Sequence, residues 1–96
     1  MASVRENLIA AKALIDTPEK WCKGAYEHLG CYCALGALGM AEKGSPTRYS
    51  LDGMRGLRVW VQLPFTSVSA FNDDPTTTHA DVMALFDRAI AAQVEE

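Results

Sequence analysis

Apolar residues recur at helical spacing at both ends of the chain and lose that rhythm in the middle. Val4, Leu8, Ala11 and Ile15 lie on one stripe, with Leu14 beside it and Ile9 toward a flank, which predicts a helix from Val4 to Ile15. Ser3 and Glu6 stand in capping-box spacing at its start. Val82, Leu85, Phe86, Ala89, Ile90 and Val94 repeat the pattern, so a closing helix is predicted from His79 to Val94, capped by Thr77 or Thr78 with Asp81 one turn on. This helix is expected to pack on the cysteine-bearing segment.

Between these ends, Asp16-Thr17-Pro18 reads as a stop and a restart, with Thr17 as N-cap. Trp21, Cys22, Ala25, Tyr26 and Leu29 then fall one turn apart, predicting a helix that ends near Gly30, although Gly24 weakens it. Another helix is expected from Tyr32 to Met40, where Gly36 and Gly39 would let a second backbone approach closely. Residues 42–50 read as a long polar surface loop around Gly44-Ser45-Pro46-Thr47. Ser50 or Asp52 can cap a short helix through Val61. Over 57–69 a strand also fits, because Val59, Val61 and Leu63 alternate with polar or aromatic neighbours, and helix is preferred. Ala70 to Pro75 reads as an apolar pair followed by an Asx-type turn. The expected fold is all-α: one domain over residues 1–96, a compact bundle of four or five helices with one long polar loop.

Composition narrows the functional classes. An apolar fraction of 49% with 22% charged residues argues for a folded chain rather than a disordered one. A net charge of -3 supplies no general field for a polyanion, so nucleic acid is not expected as a partner. No apolar run approaches the ~20 residues that span a bilayer, and the first residues lack an export signal. Three cysteines cannot all pair within the chain, and a reducing, cytoplasmic setting is the simplest expectation.

Chemistry-bearing residues concentrate between Trp21 and Met40. Cys22, His28, Cys31 and Cys33 are possible zinc donors, but Cys-x-Cys spacing with no second pair fits a structural site poorly, so no metal or other cofactor is expected. The thiols read first as small buried hydrophobes. A thiol enzyme would use Cys33 or Cys22 as nucleophile, His79 as base and Asn72 or Asp73 to orient the imidazole. Cys33 is the better nucleophile of the two, since terminal helix amides would lower its pKa. The glycines match no phosphate loop, and Asn72-Asp73-Asp74 is better explained by a turn than by a cation site. Arg48, Arg55 and Arg58, with Tyr49 and Trp60, form a mixed basic and aromatic stretch suited to contacting a partner.

Trp21-Cys22-x-Gly24-Ala25, Cys33-Ala34-Leu35-Gly36-Ala37, Phe71-Asn72-Asp73 and Thr78-His79-x-Asp81-Val82-x-x-Leu85-Phe86-Asp87-Arg88-Ala89-Ile90 together resemble a family of small proteins of unknown function from actinobacteria and their phages. The resemblance touches most of the chain. It implies a cytoplasmic accessory protein and no established activity. The leading expectation is a non-enzymatic interaction module, a phage-encoded modulator of a host complex, with a host or phage protein as partner. A homodimer is also expected from the apolar composition. The alternative is a cysteine-dependent hydrolase or transferase built on the Cys-His-Asn/Asp set.

Overall fold

A computed structural model describes residues 3–93 and shows five α-helices among them: α1 (Val4–Leu14), α2 (Ala34–Lys43), α3 (Leu51–Arg58), α4 (Val68–Asp73) and α5 (His79–Ala92). A single 3-10 turn (Pro18–Lys20) and a minimal hairpin, β1 (Glu27–His28) with β2 (Cys31–Tyr32), lie between α1 and α2. The bundle is all-α in its packing. Val94, placed at the end of the closing helix by its periodicity, lies outside the described residues.

The two ends form as their sequences dictate. Ser3 accepts the Glu6 amide while the Glu6 carboxylate accepts that of Ser3, and Thr78 and Asp81 repeat this exchange at α5. Leu8, Ala11 and Ile15 are wholly buried, as are Val82, Phe86 and Ala89. These stripes meet because α5 packs on α1 and α3, with a Lys12–Asp87 ion pair of 2.6 Å across the α1–α5 seam. The expected packing of α5 on the cysteine-bearing segment is corrected by this arrangement. The helix touches that segment through His79, whose ring lies 6.1 Å from that of Trp21.

Residues 21–32 are not helical. Gly24, Leu29 and Gly30 all have positive φ, which breaks any right-handed helix, and Trp21 instead bridges to Tyr32 in an extended ladder. The apparent one-turn spacing of Trp21, Cys22, Ala25, Tyr26 and Leu29 therefore describes a coiled-back strand pair, with Leu29 left 90% exposed at its tip. Thr17 does sit at the N-cap of the 3-10 turn, but its hydroxyl makes no cap bond and is buried without a partner among the described residues.

The glycines of α2 do permit close approach. A Cβ on Gly36 would collide with the Tyr26 carbonyl, and one on Gly39 with that of Ser45. The hairpin and the polar connection are thereby pressed against α2, which is buried from Ala34 to Gly39. That connection is shorter than expected, since Glu42 and Lys43 still belong to α2. Ser50 caps α3, and Glu42 accepts both the Ser50 amide, at 2.6 Å, and its hydroxyl, at 2.5 Å.

Over 57–69 neither alternative is realised along its length: helices take only the two ends, and residues 59–67 form turns and irregular backbone with no strand. The helix α3 ends at Arg58, and Val68 to Asp73, which include residues expected to form a strand or a turn, make the six-residue helix α4 capped by Ser67. Its buried side is Val68 and Asn72, one turn apart.

Candidate functional site

Asn72 joins the first half of the chain to the second. It is 1% exposed, and its carbonyl oxygen accepts the Trp21 indole N–H at 2.7 Å and the Ala34 amide at 3.1 Å. Its amide nitrogen donates to the Cys22 carbonyl at 3.1 Å and to Asp73 Oδ1 at 2.9 Å. A side-chain amide offers two acceptor sites and two N–H donors, and all are used here. Asp73 Oδ1 also accepts the Gly24 amide at 3.0 Å. The residue pair thus pins the irregular segment 21–24 to the start of α2.

Cys33 is the N-cap of α2, and its sulfur accepts the Gly36 amide at 3.3 Å. Sequence reasoning expected this position to lower its pKa. Burial wins instead: desolvation raises the Cys33 pKa, the Gly36 and Leu35 amides offset part of that, and the Asp73 charge adds to the rise. Cys22 is pushed up to about 12 by burial and then by the hydrogen-bonded Cys31 thiol beside it. The expectation of three buried thiols holds only for Cys33, because Cys22 and Cys31 are half-buried.

Cys33 and Asp73 line a pocket of about 240 Å³ with Gly24, Ala25, Tyr26 and Ser69. The structure therefore brings Cys33, Cys22, Asn72 and Asp73 into one neighbourhood. His79 is not in the lining of this pocket. Its Nε2 lies 2.7 Å from the Ile15 carbonyl, which can only accept, so Nε2 carries the proton and ties α5 to the end of α1. Trp21 links the two places by touching His79 with its ring and Asn72 with its N–H. Lys23 lies over the same indole at 5.4 Å and donates to the Asp74 carbonyl at 2.6 Å. Among the described residues no group of three or more His, Cys, Asp or Glu side chains is placed to hold a metal ion.

The expected partner-contacting residues divide. Tyr49 is half-buried with its ring 6.2 Å from that of Tyr26, and Arg48 lies exposed in the polar connection before α3. Arg55 and Arg58 share the outer face of α3 at i,i+3 spacing, and Trp60 follows in the turn. What sequence reasoning missed is the rest of that turn. Val59 is 72% exposed, Leu63 87% and Trp60 41%. Beneath them Trp60, Leu63, Phe65, Phe71 and Leu85 wall a pocket of about 120 Å³, with Gln62, Asp81 and Arg88 completing its lining. A second depression shares Leu63 and Phe65 and is flanked by Arg58. The signal was present in the run Val59 to Phe65, whose apolar residues suit neither face of a helix that ends at Arg58.

The chain belongs to the family of unknown function DUF6197, whose model matches residues 1–92. Comparisons with curated proteins and with solved structures found no match. No helix among the described residues is long and apolar enough to cross a membrane.

Proposed function

We propose that this protein is a non-enzymatic interaction module that docks a partner protein on the surface formed by residues 58–66 and the adjoining side of α5. The observation that carries the reading is the exposure of Val59, Trp60 and Leu63 around two adjoining depressions, one aromatic-walled with Arg88 and Asp81 in its lining, the other flanked by Arg58. Exposed apolar side chains clustered around a pocket and rimmed by arginine have the composition of a protein interface rather than of an ordinary surface. Among the described residues Arg55, Arg58 and Arg88 form no ion pair. The fitting occupant is a polypeptide that places one apolar side chain in the pocket and an acidic residue beside the arginines. In the setting that the family resemblance implies, that occupant belongs to a host complex modulated by a phage-encoded protein.

A photo-crosslinking amino acid at Leu63 or Val59, expressed in the native host, tests this. The expected result is one discrete adduct at both positions, absent when the probe is at Ile9 and lost with Arg58→Glu or Arg88→Glu. Equal adducts at Ile9, or none at Leu63, would overturn the reading. An adduct of twice the chain's mass would replace the foreign partner with a second copy.

A further inference from the structure

Two thiols that take no part in the docking surface meet where the hairpin returns to the segment after the 3-10 turn. Trp21 pairs with Tyr32 in a parallel bridge, and the Cys22 amide donates to the Tyr32 carbonyl at 3.1 Å. Successive side chains of extended backbone point to opposite faces. Cys22, one residue after Trp21, and Cys31, one before Tyr32, therefore share the face that the bridged pair does not use. There the Cys22 and Cys31 thiols are hydrogen-bonded to each other. We infer that Cys22 and Cys31 form a reversible disulfide site, closed by a hydroperoxide and reopened by a small thiol.

The third cysteine is held apart from the pair. Cys33 is 6% exposed, and as N-cap of α2 its sulfur accepts the Gly36 amide at 3.3 Å. Cys22 and Cys31 are each half-buried, so a small oxidant in solution reaches them. The Cys31 S–H donates to the His28 carbonyl at 2.8 Å, which leaves its lone pairs for the Cys22 S–H. The backbone of Cys22 is fixed on both sides, because its amide is held by Tyr32 and its carbonyl accepts the Asn72 amide at 3.1 Å. A thiol contact closes to an S–S bond of about 2.05 Å by side-chain rotation. Drawing Cys33 in would also break the α2 cap.

Closure takes two steps. Burial and the Cys31 contact hold the proton on Cys22, whose pKa is pushed up to about 12, so Cys31 is the sulfur that meets the oxidant. Cys31 gives up its proton, its sulfur takes one oxygen of the hydroperoxide, the O–O bond breaks, and the other oxygen leaves as water or an alcohol. The product is a sulfenic acid on Cys31. The Cys22 sulfur then attacks the Cys31 sulfur, the S–O bond breaks, and the departing hydroxide leaves as water with the Cys22 proton. The thiols lose the two electrons that the hydroperoxide gains. Contact between the sulfurs favours this step over further oxidation, since the resolving thiol is already in place. The new bond staples the hairpin to residues 21–24, which Asn72 and Asp73 tie to α2 and α4.

The test treats the full chain with one equivalent of hydrogen peroxide at neutral pH, alkylates the remaining thiols in urea, and maps chymotryptic peptides by mass. Cuts after Trp21, Tyr26 and Tyr32 place the three cysteines in separate peptides. The expected product joins the Cys22 peptide to the Cys31 peptide with loss of two hydrogens, leaves Cys33 alkylated, and is undone by dithiothreitol. The oxidised chain should show amide exchange about tenfold slower at Gly24 and Gly30 and a higher urea midpoint. Peroxide added to the chain already unfolded in urea should give mixed pairings instead. In Cys22→Ser the Cys31 sulfenic acid should persist long enough to be trapped by dimedone. A folded chain that links Cys33, that links two chains, or that carries Cys31 on to the sulfinic acid while Cys22 stays free would overturn the proposal.

Discussion

The Asn72 junction and the turn around Leu63 handle their surplus groups in opposite ways. At the junction, polar atoms taken from water are matched within the chain: one side-chain amide satisfies an indole N–H, a helix amide and a strand carbonyl. At the turn, apolar side chains that the chain could have buried are left in water, with Val59 and Leu63 largely exposed. The first region shows how a thin core holds a segment without regular structure. The second leaves apolar surface uncovered by the fold, which is the basis of the docking surface proposed above.

Removing Asn72 should break the comparison most severely. Asn72→Ala leaves the Trp21 indole N–H, the Ala34 amide and the Cys22 carbonyl without their side-chain partner, so a loss of about 3 kcal/mol is expected in urea unfolding. Gly24 should lose amide-exchange protection in the same variant, because Asp73 would no longer be held.

A smaller effect should follow from pH. Cys22 and Cys33 keep their protons in the folded state, since burial raises both pKa values, that of Cys22 to about 12 with help from Cys31. In the unfolded chain a thiol ionises near ~8.5. Above that pH the unfolded state releases protons that the native state retains, so stability declines as pH rises from about 8.5 towards 12 and is unaffected by these thiols below it. Urea midpoints measured at pH 7.5 and 10 should show the decline, and Cys22→Ser should reduce it.

The smallest effect on stability belongs to the turn. Leu63→Ser should change the unfolding free energy by no more than about 0.5 kcal/mol, because an exposed side chain gives up little burial. A large loss there would mean that the turn supports the fold and would remove the contrast with Asn72.

The capped ends of the bundle were readable from the chain because their signals are local. Ser3 with Glu6 and Thr78 with Asp81 act over one turn, and the stripes Leu8 to Ile15 and Val82 to Ala89 need only the helical period. Residues 21–30 were misread because Trp21, Cys22, Ala25 and Tyr26 imitate that period, while the positive φ values of Gly24, Leu29 and Gly30 forbid it. The short α4 was read as a turn for a related reason: Asn72 and Asp73 favour turns when judged alone. Their actual partners, Trp21 and Gly24, are remote in sequence.

By itself, then, the sequence determined that helices would dominate, where the first and last would begin, and that Gly36 and Gly39 would admit a neighbouring backbone. Tertiary structure decided which backbones those were, how the Cys33 thiol would ionise, and which aromatic and apolar residues would remain exposed. The division has one physical cause: caps and helical stripes are satisfied within a few residues. Desolvation, long-range hydrogen bonds and surface patches depend on what packing brings close, or leaves uncovered.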